Sequence, residues 1–225
     1  MQNRYPGWLP ELSGRVGRWI FPPCCGVCDE PLSFSRQSEQ PFLCEACEGK
    51  LTPMGQNACR LCGQSYGDGA SSAITFQPFQ CSNCADRDLA IDFAISSYRS
   101  SGEAREMMHA YKYGKQIHLA RTWGSLLQRI WEDPRMDECR GWHLIPVPLH
   151  RKRFRERGFN QAAEIAKEFS RQSPREKLLQ VTPCLLRKKH TVRQAQLDRK
   201  ERFTNLSDVF AMRSSSCSFQ EGFGF

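Results

Sequence analysis

The sequence has no apolar run long enough to form a membrane-crossing helix. Its first twenty residues carry Arg4, Glu11, Arg15 and Arg18 and lack the apolar core of a signal peptide. A cytoplasmic protein without membrane insertion is therefore expected. The five histidines, His109, His118, His143, His150 and His190, show no paired metal-ligand spacing and suggest ordinary structural or surface roles. Cysteine is scarce after residue 85, where only Cys139, Cys184 and Cys217 occur, and these read as inert thiols. Before it, residues 22–86 lack sustained hydrophobic periodicity and are rich in Gly, Ser, Gln and Pro. Such a segment cannot bury a sufficient core by itself and needs covalent or metal staples.

The staples are present. Nine of the twelve cysteines precede residue 85, eight of them in four C-x-x-C pairs: Cys25/Cys28, Cys44/Cys47, Cys59/Cys62 and Cys81/Cys84. The first two pairs are 15 residues apart and the last two 18, which is zinc-site spacing. Two cysteines three apart across a tight turn aim both sulfurs at one point, and a second turn completes a tetrahedron. Gly26 and Gly63 stand where such turns can use a residue without a Cβ. Disulfide or thioredoxin-like redox chemistry is the alternative, but a reducing compartment disfavours the first and the second needs only one pair. Two structural zinc ions are expected, with no open coordination position for catalysis. Sequential sites are the default pairing; a cross-braced arrangement would use the same eight ligands, and Cys24 could substitute for Cys25.

The second half reads differently. Ile91, Phe93 and Ile95 alternate and predict a strand to about Tyr98. Ser101 to Tyr113 predicts a helix stopped by Gly114. Leu119, Trp123, Leu126, Leu127 and Ile130 predict a second helix, Leu144–Leu149 a buried strand burdened by Pro146 and Pro148, and Asn160 the cap of a third helix. Ala162, Ile165, Ala166 and Phe169 would form that helix's inner face. This order points to an α/β domain. Leu185–His190 reads as a solvated turn. The boundary is expected near residue 86, giving a zinc-binding domain over 1–86 and an α/β domain over 87–225.

Charge is also uneven. Between Arg151 and Arg202 there are 16 Lys/Arg against 6 Asp/Glu, a local surplus of +10 in a chain of net charge +8. Such a surplus favours a phosphate-bearing partner, a small molecule or a nucleic acid, although a solvated cationic face is the blander outcome. Its first part, HLIPVPLHRKRFRERGFNQ (His143–Gln161), is an apolar run, then Arg151, Lys152, Arg153, Arg155 and Arg157, then Gly158-Phe159-Asn160-Gln161. A strand, a cationic loop and a helix N-terminus together can hold phosphate. A basic surface helix after a core strand explains the same residues.

These features, taken in order, resemble the ComF family. They are Phe21-Pro22-Pro23 before the first knuckle, the Cys pairs, Tyr111-Lys112-Tyr113-Gly114, Ile145–Leu149 with Arg153, and Arg157–Gln161. Arg187, Thr191, Gln194, Leu197, Arg202, Asn205 and Phe210 follow in the T-x-x-Q-x-x-L…R-x-x-N…F pattern. The resemblance implies an incomplete parallel sheet like that of type I phosphoribosyltransferases, preceded by a small zinc-ribbon-like Cys-rich domain. It implies phosphoribosyl pyrophosphate (PRPP), bound with Mg²⁺, as the ligand, and a link to competence, DNA uptake, single-stranded DNA and competence proteins. Arg153 and Arg157 would hold pyrophosphate, with Gly158, Asn160 and Gln161 shaping the loop, and Lys112, Lys115, Arg199 and Arg202 on neighbouring loops. The fold's acidic pair followed by Thr-Thr-Gly is missing, so no catalytic residue is assigned; the closing AMRSSSCSFQEGFGF reads as a truncation or a shifted frame.

Overall fold

The computed structural model describes residues 22–32, 40–54, 58–59, 61–65, 81–82, 84–85, 90–192, 197–198, 201, 205–206 and 208–213. Arg199, Arg202 and Gln194 lie outside the described residues.

The cysteine-rich part is built from tight turns and isolated bridges, Cys24 with Pro31 and Ala58 with Ser65, plus one helical turn, α1, Glu45–Glu48. The first two amphipathic helices of the second part follow its periodicity. Helix α2, Gly102–Tyr113, buries Ala104, Met107 and Tyr111, one stripe at i, i+3 and i+7. Ser101 holds the extended N-cap conformation without a side-chain cap bond, and Gly114 closes the helix. Helix α3, Leu119–Leu126, buries Leu119, Ala120, Trp123 and Leu126. The expected continuation to Ile130 tightens into a 3₁₀ segment, Leu127–Glu132.

Strand β1, His143–Leu144, leads to helix α4, Arg151–Arg157, then helix α5, Gln161–Gln172, and strand β2, Gln180–Val181. β1 and β2 pair in parallel, so this is a β-α-α-β crossover with a two-stranded parallel sheet. Strands β3, Leu185–Arg187, and β4, Phe210–Met212, pair antiparallel.

Three expectations are corrected. Residues 91–98 do not form a strand: among the described residues their pairing is confined to one bridge, Tyr98 with Pro53, flanked by Met54 N–H donating to the Ser97 carbonyl and Arg99 N–H donating to the Thr52 carbonyl. An alternating pattern makes a strand only where a partner edge runs beside it. The strand expected over Leu144–Leu149 stops at Leu144, because Pro146 and Pro148 have no N–H to continue a ladder. Leu185–Arg187 is a strand rather than a turn, since β4 supplies its partner.

The main core joins both parts of the chain. Cys25, Leu43, Cys47 and Leu51 pack with Met107, Tyr111, Leu119, Trp123, Leu126 and Phe159. A Cβ on Gly26 would meet Leu119 Cδ2 at 2.5 Å, so the first knuckle lies directly on α3. The Thr122 hydroxyl donates to the Pro41 carbonyl across the same contact. On its other side α3 meets α5 at Gly124, whose missing Cβ would stand 2.7 Å from Glu168 Cβ. Gln128 Nε2 donates to the Gly124 and Phe169 carbonyls, and the Trp131 ring stacks on Phe169. Cys59, Cys81 and Cys84 form a separate small cluster with Leu61 and Cys62. Among the described residues, no helix is long and apolar enough to cross a membrane.

Candidate metal centres and phosphate cleft

The eight predicted cysteines gather into two groups, Cys25/Cys28/Cys44/Cys47 and Cys59/Cys62/Cys81/Cys84, each with its sulfurs within 4.8 Å of one another. Sequential pairing, not cross-bracing, is therefore the arrangement. Cys24 stands apart and its Sγ donates to the Pro22 carbonyl. Cys28 and Cys44 Sγ are 3.7 Å apart, Cys62 and Cys81 3.6 Å, and Cys81 and Cys84 3.6 Å. Sulfurs bound to a tetrahedral zinc at about 2.3 Å stand roughly 3.8 Å apart. A disulfide would need about 2.05 Å, and all eight thiols are free.

The donor set fits zinc electrostatically as well. The Cys47 N–H points at Cys44 Sγ and the Cys81 N–H at Cys59 Sγ, both at 3.4 Å. Burial raises the Cys59 thiol, but backbone N–H groups of Cys62, Cys81 and Leu61 outweigh it and hold it down to about 6. Burial and its neighbouring thiols push Cys84 up to about 12, and Cys47 is driven upward for the same reasons. Four thiolates this close repel one another, and a dication removes that cost.

The basic segment takes the surface-helix form. Its cations do not hang on a loop; they form α4. His150 caps the helix by accepting from the Lys152 N–H, and Gly158 ends it at φ +84°, a left-handed turn that glycine adopts without a Cβ clash. Helical spacing then sorts the cations. Arg153, Glu156 and Arg157, at i, i+3 and i+4, share one face and meet Lys112, Tyr113 and Lys115. These six residues line an open cleft of about 160 Å³. Arg151, Lys152 and Arg155 are exposed.

Arg157 is positioned by its neighbours. Arg157 Nη1 donates to Gln161 Oε1 at 3.0 Å, and its guanidinium lies over the Tyr113 ring at 5.5 Å. Gln161 is buried, and its carbonyl accepts from the Tyr111 hydroxyl at 2.9 Å. Asn160 caps α5 by accepting from the Ala162 N–H and donates Nδ2 to the Val147 carbonyl. Burial, and then the Arg157 charge, lower the Lys112 pKa. Lys112, Lys115, Arg153 and Arg157 make no ion pair among the described residues, so an anion is the partner that would relieve their repulsion.

Lys112, Lys115, Arg153 and Arg157 are thus brought together, while Gly158, Asn160 and Gln161 shape and brace the turn behind them. Sequence reasoning gave Tyr113 no role and overlooked Glu156. A helical reading of RKRFRER would have placed Glu156 beside Arg153 and Arg157.

Residues 16–85 match the double zinc ribbon domain family. Over 189 residues the chain is 25% identical to competence protein F of Haemophilus influenzae, an alignment covering 79% of this chain and 80% of that protein. Both findings agree with the ComF-like pattern of the sequence: the chain is similar to a competence protein F over most of its length, and residues 16–85 are similar to a double zinc ribbon. No solved structure matches.

Proposed function

We propose that the chain is a competence-associated, zinc-braced protein that binds a pyrophosphate-bearing sugar, PRPP with its Mg²⁺, in the cleft between α2 and α4. The relative's name supports the competence role. One observation carries the ligand: four cations, Arg153 and Arg157 from α4 with Lys112 of α2 and Lys115 just after it, converge on one opening against a single acid, Glu156, and make no ion pair among the described residues. On this reading residues 1–86 are a zinc-binding domain and 87–225 a phosphoribosyltransferase-like domain. Arg153 and Arg157 hold the pyrophosphate oxygens, Lys112 and Lys115 neutralise the opposite side, and Gln161 fixes Arg157. If transfer occurs, these cations would stabilise the charge that develops on departing pyrophosphate.

A second reading, single-stranded nucleic-acid binding without catalysis, is favoured by one feature. Tyr113 and Phe154 are exposed aromatic rings among the cations, on which bases would stack. Calorimetric titration separates the two. Saturable micromolar binding of PRPP with Mg²⁺ supports the first. No such binding, with oligothymidylate affinity that falls steeply as salt rises, supports the second.

A further inference from the structure

Solvent reaches the two cysteine groups unequally. In the first, Cys28 is exposed and Cys44 half-buried, whereas Cys25 and Cys47 are only 1% and 4% exposed. In the second no cysteine is exposed, and Cys62 alone is half-buried. An oxidant dissolved in water therefore meets the Cys28/Cys44 edge first. Those two sulfurs are 3.7 Å apart and would close to about 2.05 Å in a disulfide. Cysteines that hold zinc do so as thiolates, and the thiolate is the form that oxidants attack.

Packed side chains and hydrogen bonds connect that edge to the cleft. Gly26, between Cys25 and Cys28, lies on Leu119 of α3, and its N–H donates to the Phe42 carbonyl, two residues before Cys44. The Phe42 ring meets that of His118, the residue before α3. Cys25 and Cys47 share one core with Met107 and Tyr111 of α2 and with Phe159. The Tyr111 hydroxyl donates to the Gln161 carbonyl, and Gln161 Oε1 accepts from Arg157. Lys112 follows Tyr111 on the same helix. The second group packs in its own cluster with Leu61.

We propose that the Cys28/Cys44 edge is a peroxide-sensitive switch that sets whether the cleft is formed. The Cys28 thiolate attacks hydrogen peroxide, becomes a sulfenic acid and releases hydroxide. The Cys44 thiolate then displaces a second hydroxide and forms the S–S bond. The two thiolates lose two electrons, and peroxide gains them and, with two protons, leaves as two waters. The first group is left with two zinc ligands, and its ion departs into solvent. Cys44 also turns away from the Cys47 N–H, its partner at the start of α1. The core shared with α2 loses the folding energy that the metal supplies, and Lys112 and Gln161 lose their positions. Reduction with zinc present reverses the change. The effect on binding rests on the phosphate-binding reading of the cleft; the chemistry at the cysteines does not.

The test uses the zinc-replete full chain treated with hydrogen peroxide. Zinc release is followed with a chromogenic chelator, disulfides by peptide mass spectrometry, and α2 by hydrogen exchange. One zinc ion should leave at least tenfold faster than the other, with a Cys28–Cys44 disulfide, faster exchange over α2 and at least tenfold weaker pyrophosphate binding. Dithiothreitol with added zinc should restore all of these. Cys28→His keeps a zinc ligand without the exposed sulfur and should slow the first release at least tenfold; release as fast as in wild type overturns the proposal. The wild-type readouts need no variant to fold. Both ions leaving together, a first disulfide among Cys59, Cys62, Cys81 and Cys84, or unchanged α2 exchange once Cys28 and Cys44 are joined, each overturns it. If the reduced protein takes no pyrophosphate, the reading of the cleft falls, while ordered zinc release and faster α2 exchange still support the switch.

Discussion

Arg157 joins three structures with one side chain. It is held by buried Gln161, lies over the Tyr113 ring and lines the cleft. Arg157→Ala should weaken pyrophosphate binding by about tenfold, roughly 1.4 kcal/mol, in a calorimetric titration, with little change in melting temperature. Asn160 acts on stability instead. Asn160→Ala removes the α5 cap and the bond to the Val147 carbonyl, and should cost about 1–2 kcal/mol in urea denaturation. Asn160→Asp keeps the cap acceptor and loses only the donor, so it should fall between the two. His118 adds a pH effect. Burial lowers its folded pKa, so the unfolded chain binds the proton more readily and stability falls as pH drops below about 6.5. His118→Leu should flatten that acid limb relative to wild type in melts across pH 5–8.

At the scale of elements, the contact between α3 and α5 depends on the absence of a side chain. A Cβ at Gly124 would stand 2.7 Å from Glu168 Cβ and 2.9 Å from the Glu168 carbonyl carbon. Gly124→Ala should therefore part the helices and destabilise the protein by about 1–3 kcal/mol, as overpacked cores do, despite alanine's better helix propensity. A shifted urea midpoint with unchanged slope would register it. The elements also mark what pattern reading can achieve. The stripes of α2 and α3 were legible because burial on one side is written every three or four residues. The extended segment 91–98 was misread as a strand, since alternation does not reveal whether a partner edge exists. Strand β3 was missed because β4, which pairs with it, follows more than twenty residues later.

Across the whole molecule, the two cysteine groups differ in their surroundings. The first shares its core with α2 and α3, whereas the second packs in a cluster of its own. Metal-replete wild type should contain close to two zinc ions per chain by elemental analysis. Cys47→Ser should lose one ion and disrupt the helices that carry Lys112 and Gln161, abolishing pyrophosphate binding. Cys84→Ser should lose one ion and leave pyrophosphate affinity within about threefold. Structural zinc supplies folding energy only to the core it closes, so the asymmetry follows from packing.

Sequence alone picked out the eight cysteines that gather into two groups of four, because C-x-x-C geometry is local and each pair aims its own sulfurs. It also located the cationic segment and the glycine and asparagine that end one helix and start the next. Tertiary structure decided that α2 and α4 face each other, that Arg153 and Arg157 turn inward while Arg151 and Arg155 do not, and that Arg187 shares Thr191 with Arg153. It also decided which knuckle joins the main core. These outcomes depend on contacts between residues distant in the chain, and a local pattern of residue types carries no record of which distant surface will be buried against it.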